Sequence, residues 1–263
     1  MNNENVLLNK DNNLIDNKIE TKSKSFKKFL LEQISLPKDE WNDEFKEYVE
    51  EKKEEARALE NDESPELSFE ENQVKVFDDY LRDLNIEDNP EYFRDKNVVD
   101  LGCGEGEFVL ECLKRGEAKS IYGLDLNIKK ELSSGEFKDN FIEADFTKEF
   151  PFKNADCIIS DGGISTLTLE KNGEESLEKL LRNSLDILTE NGEIRIVPVH
   201  KYSHSEIELA GLDSSIDKLS KVLEKLSQEN LIDFKFEPID IQVSGKDYKD
   251  VWLWETLIIK KKK

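Results

Sequence analysis

The spacing of hydrophobic and polar positions changes once along the chain, near residue 95. Before that point apolar residues recur at helical intervals. Phe26, Phe29, Leu30 and Ile34 form one stripe that Pro37 ends, and Trp41, Phe45, Tyr48, Val49, Ala56 and Leu59 form a second. After a loop at NDESPEL, Ser68 followed by Glu71 makes a capping box for a third helix with Val74, Phe77, Tyr80, Leu81 and Leu84 inward. Beyond residue 95, short β-rich runs (NVVDL, SIYGLDL, NFIEADF, ADCIISD, EIRIVPV) alternate with helical patterns, which reads as repeated βαβ units around a parallel sheet. One intervening helix carries Leu177, Leu180, Leu181, Leu185 and Leu188 and is closed by a turn at Asn191-Gly192; another carries Leu212, Ile216, Leu219, Leu223 and Leu226. The final runs, FKFEPIDI and VWLWETLII, are joined by QVSGKDYKD, too short for a helical crossover, so they pair as an antiparallel hairpin. Trp252 and Trp254 share one face of its last strand and are expected against a helix.

The expected fold class is therefore α/β: a doubly wound, mostly parallel seven-stranded sheet ending in an antiparallel hairpin, with a helical N-terminal extension. Residues 1–25, rich in Asn, Lys, Asp and Ser, read as a disordered tail, 26–94 as the helical extension and 95–260 as the α/β domain. A length of 263 residues suits one sizeable core with an appendage.

Charge alters the functional outlook. With 60 acidic against 38 basic residues and a formal net charge of -22, the chain repels phosphates and anionic membrane surfaces, so nucleic acid is a disfavoured partner. No apolar run reaches membrane-spanning length, and the N-terminus lacks a secretory leader pattern, so no membrane partner is expected. Cys103, Cys112 and Cys157 form no C-x-x-C pair, which argues against a zinc site or disulfide framework and for a reducing, cytoplasmic setting.

Candidate chemistry centres on VVDLGCGEGEFVLEC, residues 98 to 112. Three glycines at alternate positions after a buried-type strand imply a close approach to the backbone, and the strand-turn-helix places a helix N-terminus at the mouth of the sheet. The dinucleotide fingerprint requires its third glycine three residues after the second; here Gly106 follows Gly104 by two and Glu107 holds the fingerprint position. The loop also lacks the Gly-Lys-Ser/Thr step of a phosphate-binding loop. Cys103, without an adjacent base, reads as a small packing residue whose backbone nears the ligand.

This loop, with the acids beyond it, resembles the first motif of class I S-adenosylmethionine-dependent methyltransferases: Asp100, Gly102, Gly104 and Gly106. The resemblance implies a cofactor, S-adenosylmethionine, with Asp125 in YGLDLN on the ribose hydroxyls, Asp145 in IEADF near the adenine amino group, and Asp161 in IISDGG at the methionine end and the reacting centre. Cys103, Leu126 and Phe146 complete the cofactor-binding set that it implies. A carboxylate such as Asp125 can accept from both ribose hydroxyls at once. Because the methyl is already activated, positioning can suffice for transfer without a strong base.

VPVHKYSHSE after the fifth strand holds both histidines, and His200 is a candidate for removing a proton from the acceptor; His204 and Tyr202 lie beside it. No metal is expected. SDGG lacks the Asn/Asp-Pro-Pro-aromatic pattern of amino-methylating enzymes of bases and glutamine. Its Ser-Asp step resembles that of RNA ribose methyltransferases related to FtsJ, whose lysines at the end of strand five are replaced here by Pro198 and Val199. The expected acceptor is thus a small molecule or a protein side chain, chosen by the helical extension with Trp41 over the site. The alternatives are a non-catalytic partner-binding protein of the same fold, an RNA ribose methyltransferase and, disfavoured by the glycine spacing, a nicotinamide enzyme.

Overall fold

A computed structural model describes residues 25–263 except 61–67, 90, 146, 149, 165–172, 200–202, 205–211 and 245. The expected N-terminal tail, all but its last position, and the loop at 61–67 lie outside the described residues, as do Phe146, His200 and Tyr202.

Five strands run parallel: β1 (Asn97–Leu101), β2 (Ser120–Asp125), β3 (Phe141–Glu143), β4 (Ala155–Asp161) and β5 (Leu188–Val199). They are ordered β3-β2-β1-β4-β5, so the sheet winds outward in both directions from β1. The two-residue β6 (Ser203–His204) follows β5 along one edge of β8 (Asp250–Lys261), and β7 (Ile232–Ser244) pairs with the other edge. The hairpin is as the alternating pattern implies, and among the described residues β6 is the one addition to the seven expected strands. Its turn is tight enough to hold Asp247 and Tyr248 at positive φ.

Alternation places successive side chains on opposite faces of the sheet. One face gathers Val99, Leu101, Ile158 and Ile196 beneath α6 (Gly173–Ile187) and α7 (Leu212–Gln228), with Leu177, Leu180, Leu223 and Leu226 buried. The other gathers Val98, Cys157, Ile159 and Val197 beneath α3 (Phe69–Asp83) and α4 (Glu107–Arg115), with the short α5 (Lys130–Ser134) adding Leu132. Trp254 packs against this second cluster.

Helix α6 ends one residue earlier than its leucine stripe suggests. Leu188, expected on the helix, already pairs with Ala155 in the sheet, and Cys157 next pairs with Glu193, so Asn191-Gly192 lies in an irregular stretch of β5 instead of capping a helix. Gly192 is held against Leu188, whose Cδ1 would lie 2.8 Å from an added Cβ.

The N-terminal helices divide their work. α1 (25–34) and α2 (Asp43–Glu60) bury Leu30, Ile34, Phe45 and Val49 against Ile241, Val251 and Leu253 of the terminal hairpin. Trp41 stands ahead of α2, and its indole donates to Leu36 O at 3.1 Å. Placement over the ligand crevice was expected of Trp41; the structure packs it in this hairpin cluster. α3 opens on the expected Ser68–Glu71 capping box and lies on α4, where the Tyr80 and Phe108 rings stack with centroids 4.3 Å apart. Of the three helices, α3 is the one beside the glycine loop.

Candidate active site

β1 stops at Leu101 because the next residue cannot extend the strand: Gly102 turns to φ +83. A side chain there would have two faults. It would favour a different backbone, and its Cβ would lie 2.5 Å from the Cα of Gly163, in the loop after β4. The reverse approach is as close, since a Cβ on Gly163 would fall 2.4 Å from Leu101 O. Two bare loops at the carboxyl ends of β1 and β4 therefore touch backbone to backbone, and Ser160 Oγ donates to Leu101 O at 2.8 Å beneath them. Gly106 answers a third packing need, because its Cβ would meet Phe141 at 2.7 Å and Leu132 at 2.9 Å.

Gly104 differs. At φ +53 an added Cβ would meet nothing within 4 Å among the described residues, so this point of the loop faces open space. Its amide donates to Asp125 Oδ2 at 3.2 Å, and Asp125 Oδ1 accepts from the Asn127 amide at 3.1 Å. The acid ending β2 is thereby fixed to the glycine loop across the top of the sheet. Leu126, the next residue, is 57% exposed, high for a leucine placed beside buried strands.

Asp145 lies just past β3, and its Oδ1 accepts from the Thr147 amide at 2.9 Å and hydroxyl at 2.7 Å. These bonds, chiefly the one from the hydroxyl, hold its carboxyl below the usual range. Its other oxygen sits 3.3 Å from Lys148 Nζ at the surface. Cys103 is buried against Gly123, whose added Cβ would lie 2.8 Å from the sulfur, and burial pushes its thiol far up, unlike that of a nucleophile.

Two further acids share the face of the sheet that α3 and α4 cover. Asp100 is fully buried, and neither carboxylate oxygen has a hydrogen-bond partner among the described residues. Burial, then the charges of Asp161 and Asp125, push its carboxyl well up. Asp161, at the end of β4, is raised to about 7, first by burial and then by Asp83 and Asp79, with Arg82 opposing them. Those three residues come from the last turns of α3, where Arg82 bridges Asp79 at 2.9 Å and Asp83 at 2.9 Å. Tyr80 lies among the same acids, its phenol raised by burial and then by Asp100 and Asp161.

The structure thus brings Asp100, the glycine loop, Asp125 and Asp161 to one end of the sheet, with Asp145 at the end of the neighbouring strand. His204 falls in β6, while Phe146 and His200 lie outside the described residues. Gly163 and Tyr80 were missed as site residues. SDGG carried a signal for the first, since paired glycines beside a second glycine loop suit two backbones in contact. Tyr80 read only as one member of a helical stripe.

A parallel sheet wound from β1, a ligand mouth at its carboxyl ends and an antiparallel terminal hairpin define a class I methyltransferase domain. The chain belongs to the FtsJ-like methyltransferase family, whose family model matches residues 82–228. It is an S-adenosylmethionine-dependent methyltransferase. A stretch of 57 residues, 20% of this chain, is 40% identical to protein arginine N-methyltransferase 1 of Schizosaccharomyces pombe and spans 16% of that protein. Among solved structures, a TehB-like SAM-dependent methyltransferase from Corynebacterium glutamicum is similar at 14% identity, with a TM-score of 0.37, over 82% of this chain and 98% of that one. Phospholethanolamine N-methyltransferase 2 from Haemonchus contortus is similar at 12% identity, with a TM-score of 0.47, over 73% of this chain and 52% of that one. Among the described residues no helix is long and apolar enough to cross a membrane.

Proposed function

We propose that the open side of the Gly104 loop receives S-adenosylmethionine and that the methyl acceptor is a small molecule or a protein side chain. The observation that carries this reading is the Gly104–Asp125 contact: a carboxylate fixed at the end of β2 beside the one of the three loop glycines (Gly102, Gly104 and Gly106) whose added Cβ would meet no described atom within 4 Å. The chemistry of this set fits the cofactor. Asp125 offers oxygens for vicinal hydroxyls, Asp145 follows the neighbouring strand where an adenine amino group would lie, and exposed Leu126 offers an apolar surface to a base. The unpartnered Asp100 carboxylate suits a ligand that carries positive charge.

When bound, S-adenosylmethionine supplies a methyl carbon activated by positive sulfur, which bonds to the acceptor's lone pair as the carbon–sulfur electrons return to sulfur. Asp161 is placed to orient the acceptor and, being near half-ionised at neutral pH, to accept its proton. His200 remains a second proposed base. α3 excludes water by laying Tyr80 over this end of the sheet. The buried free thiols Cys103, Cys112 and Cys157 agree with a reducing, cytoplasmic setting.

Isothermal titration with S-adenosylmethionine, S-adenosylhomocysteine and NADH tests the cofactor site. Micromolar binding of the first two alone is expected, and selective NADH binding would overturn the reading. The family match favours a second acceptor class, RNA ribose. Against it stand the net charge of -22 and Pro198-Val199 at the end of β5 in place of lysines. Methyl transfer to total RNA, read as 2′-O-methyl nucleosides after digestion, separates the two.

A further inference from the structure

We propose that the ion pair between Glu105 and Lys129 is a positioning clasp for the cofactor, holding the loops after β1 and β2 at the spacing from which Asp125 reaches the ribose. This rests on the methyltransferase reading and adds two positioning residues to the same cofactor site. Glu105 stands between Gly104 and Gly106, and Lys129 is the residue just before α5. Their side chains meet across the gap between the two loops.

The pair adds to a link that lies nearer the sheet, where the Gly104 amide donates to Asp125 Oδ2 at 3.2 Å and the Asn127 amide to Asp125 Oδ1 at 3.1 Å. The segment from Asp125 to Lys129 is thus pinned at both ends to consecutive residues of the glycine loop, Gly104 and Glu105. Exposed Leu126 lies within this pinned segment, so a shift of Lys129 also shifts the apolar surface offered to the base. Just beyond Lys129, Leu132 of α5 comes within 2.9 Å of where a Cβ on Gly106 would lie, which continues the contact one residue further along the loop. Gly104 itself, at φ +53 and without a side chain, gives the loop little stiffness, so its restraint comes from these neighbours.

Local charge gives the clasp its direction. The hydrogen bond to Glu105 raises the Lys129 ammonium, and the charges of Glu105, Glu107 and Glu131 act in the same sense. Removing the lysine would leave those carboxylates facing one another from the two loops and drive the loops apart. Both members of the pair are about half exposed, so its energy is modest and falls with salt. Modest energy suffices for selecting one spacing between loops that Gly104 and Asp125 already join.

The test titrates the full chain with S-adenosylhomocysteine, a zwitterion without net charge, and with cationic S-adenosylmethionine. Failure of the parent to bind either would overturn the cofactor reading and the clasp with it, whereas failure of the clasp alone shows only in the variants. Lys129→Met should weaken both ligands by roughly threefold to fivefold, the upper range for an exposed ion pair, with the denaturation midpoint near that of the parent. Lys129→Glu should cost more, roughly tenfold, because it adds repulsion to the lost attraction. Exchanging the charges, Glu105→Lys with Lys129→Glu, should restore the affinity for neutral S-adenosylhomocysteine. In about 1 M salt, where the screening length is about 3 Å, the single variants should approach the parent. A lysine acting through its field alone would behave otherwise: its loss would tighten S-adenosylmethionine and leave S-adenosylhomocysteine unchanged, and that pattern would overturn the proposal. Unchanged affinity in Lys129→Glu, or an exchange that rescues nothing, would overturn it as well.

Discussion

Gly102 and Gly163 close the loops after β1 and β4 on each other, so that a Cβ added to the first would sit 2.5 Å from the Cα of the second. Gly104, two residues further on, has no such neighbour within 4 Å among the described residues. The glycines thus serve different ends, and alanine should tell them apart. Gly102→Ala must separate two backbones and is expected to lower both stability and cofactor affinity. Gly104→Ala carries only the left-handed backbone cost of about 1–2 kcal/mol, yet points its methyl at the ligand space. It should keep the fold and weaken S-adenosylhomocysteine binding at least tenfold. Denaturation midpoints and titration of both variants check this; equal behaviour would remove the distinction.

Asp125 is expected to matter through two sets of partners. Its oxygens accept from the Gly104 and Asn127 amides, at 3.2 and 3.1 Å, leaving lone pairs for ribose hydroxyls. Asp125→Ala should therefore weaken cofactor binding by about 1.5–3 kcal/mol, the range of hydrogen bonds to a charged group. Asp125→Asn should recover part of the loss, because one carbonyl oxygen remains to accept from Gly104. Unchanged affinity in the alanine variant would remove Asp125 from the site.

Much of this was legible in the residues. Period-two runs gave the strands and the hairpin, and the spacing of Asp100, Gly102, Gly104 and Gly106 located the loop. Local patterns could not show long-range closure. Gly163 meets Gly102 from a different strand; the paired glycines of SDGG suit a close approach of two backbones, but their neighbours do not say which loop they meet. The function of the helical extension was hidden for the same reason: α1, α2 and α3 carry similar apolar stripes, but α1 and α2 bury theirs on Ile241 and Leu253 while α3 finds Phe108. The end of α6 was misplaced because Leu188 continues the helix's leucine period while its backbone has already joined β4.

Asp161 makes stability depend on pH in a defined direction. Its folded carboxyl is raised from 3.8 to about 7, so between those values the folded chain holds a proton that the unfolded chain has lost. Stability from this group is complete below pH 3.8 and is lost as pH rises through about 7. The groups facing it are Asp79, Arg82 and Asp83 from α3 and Asp100 from β1. Asp161→Asn lacks the ionisation, so it should gain on the parent with rising pH, from near parity at low pH to an advantage on the order of 3 kcal/mol in mildly alkaline buffer. Urea unfolding across that range gives the difference directly, and parallel curves would show that Asp161 ionises freely in the folded protein.

The last turn of α3 is tied to the sheet by a buried ion pair, and its loss should be felt at the site. Arg195 on β5 donates to Leu84 O at 2.6 Å, just past the end of α3, and to Glu193 at 2.5 Å. Tyr92 and Lys260 also engage Glu193. Burial by itself would raise the Glu193 carboxyl, but Arg195, with help from Tyr92 and Lys260, holds it at about 2. Its stabilisation is therefore present above its unfolded value of 4.5 and is lost as pH falls through about 2. Arg195→Ala leaves that carboxylate buried with only Lys260 opposite and frees the Leu84 carbonyl; a cost of roughly 3–5 kcal/mol is expected. Replacing the pair together, Arg195→Met with Glu193→Leu, should restore most of the stability, because both desolvation penalties vanish. It should not restore the tether on α3. The double variant is thus expected to unfold near the parent midpoint while binding S-adenosylhomocysteine more weakly, and recovery of both properties would show that α3 is held by its other contacts, the Thr256 hydroxyl that donates to Asp83 O at 2.7 Å and the packing on Phe108.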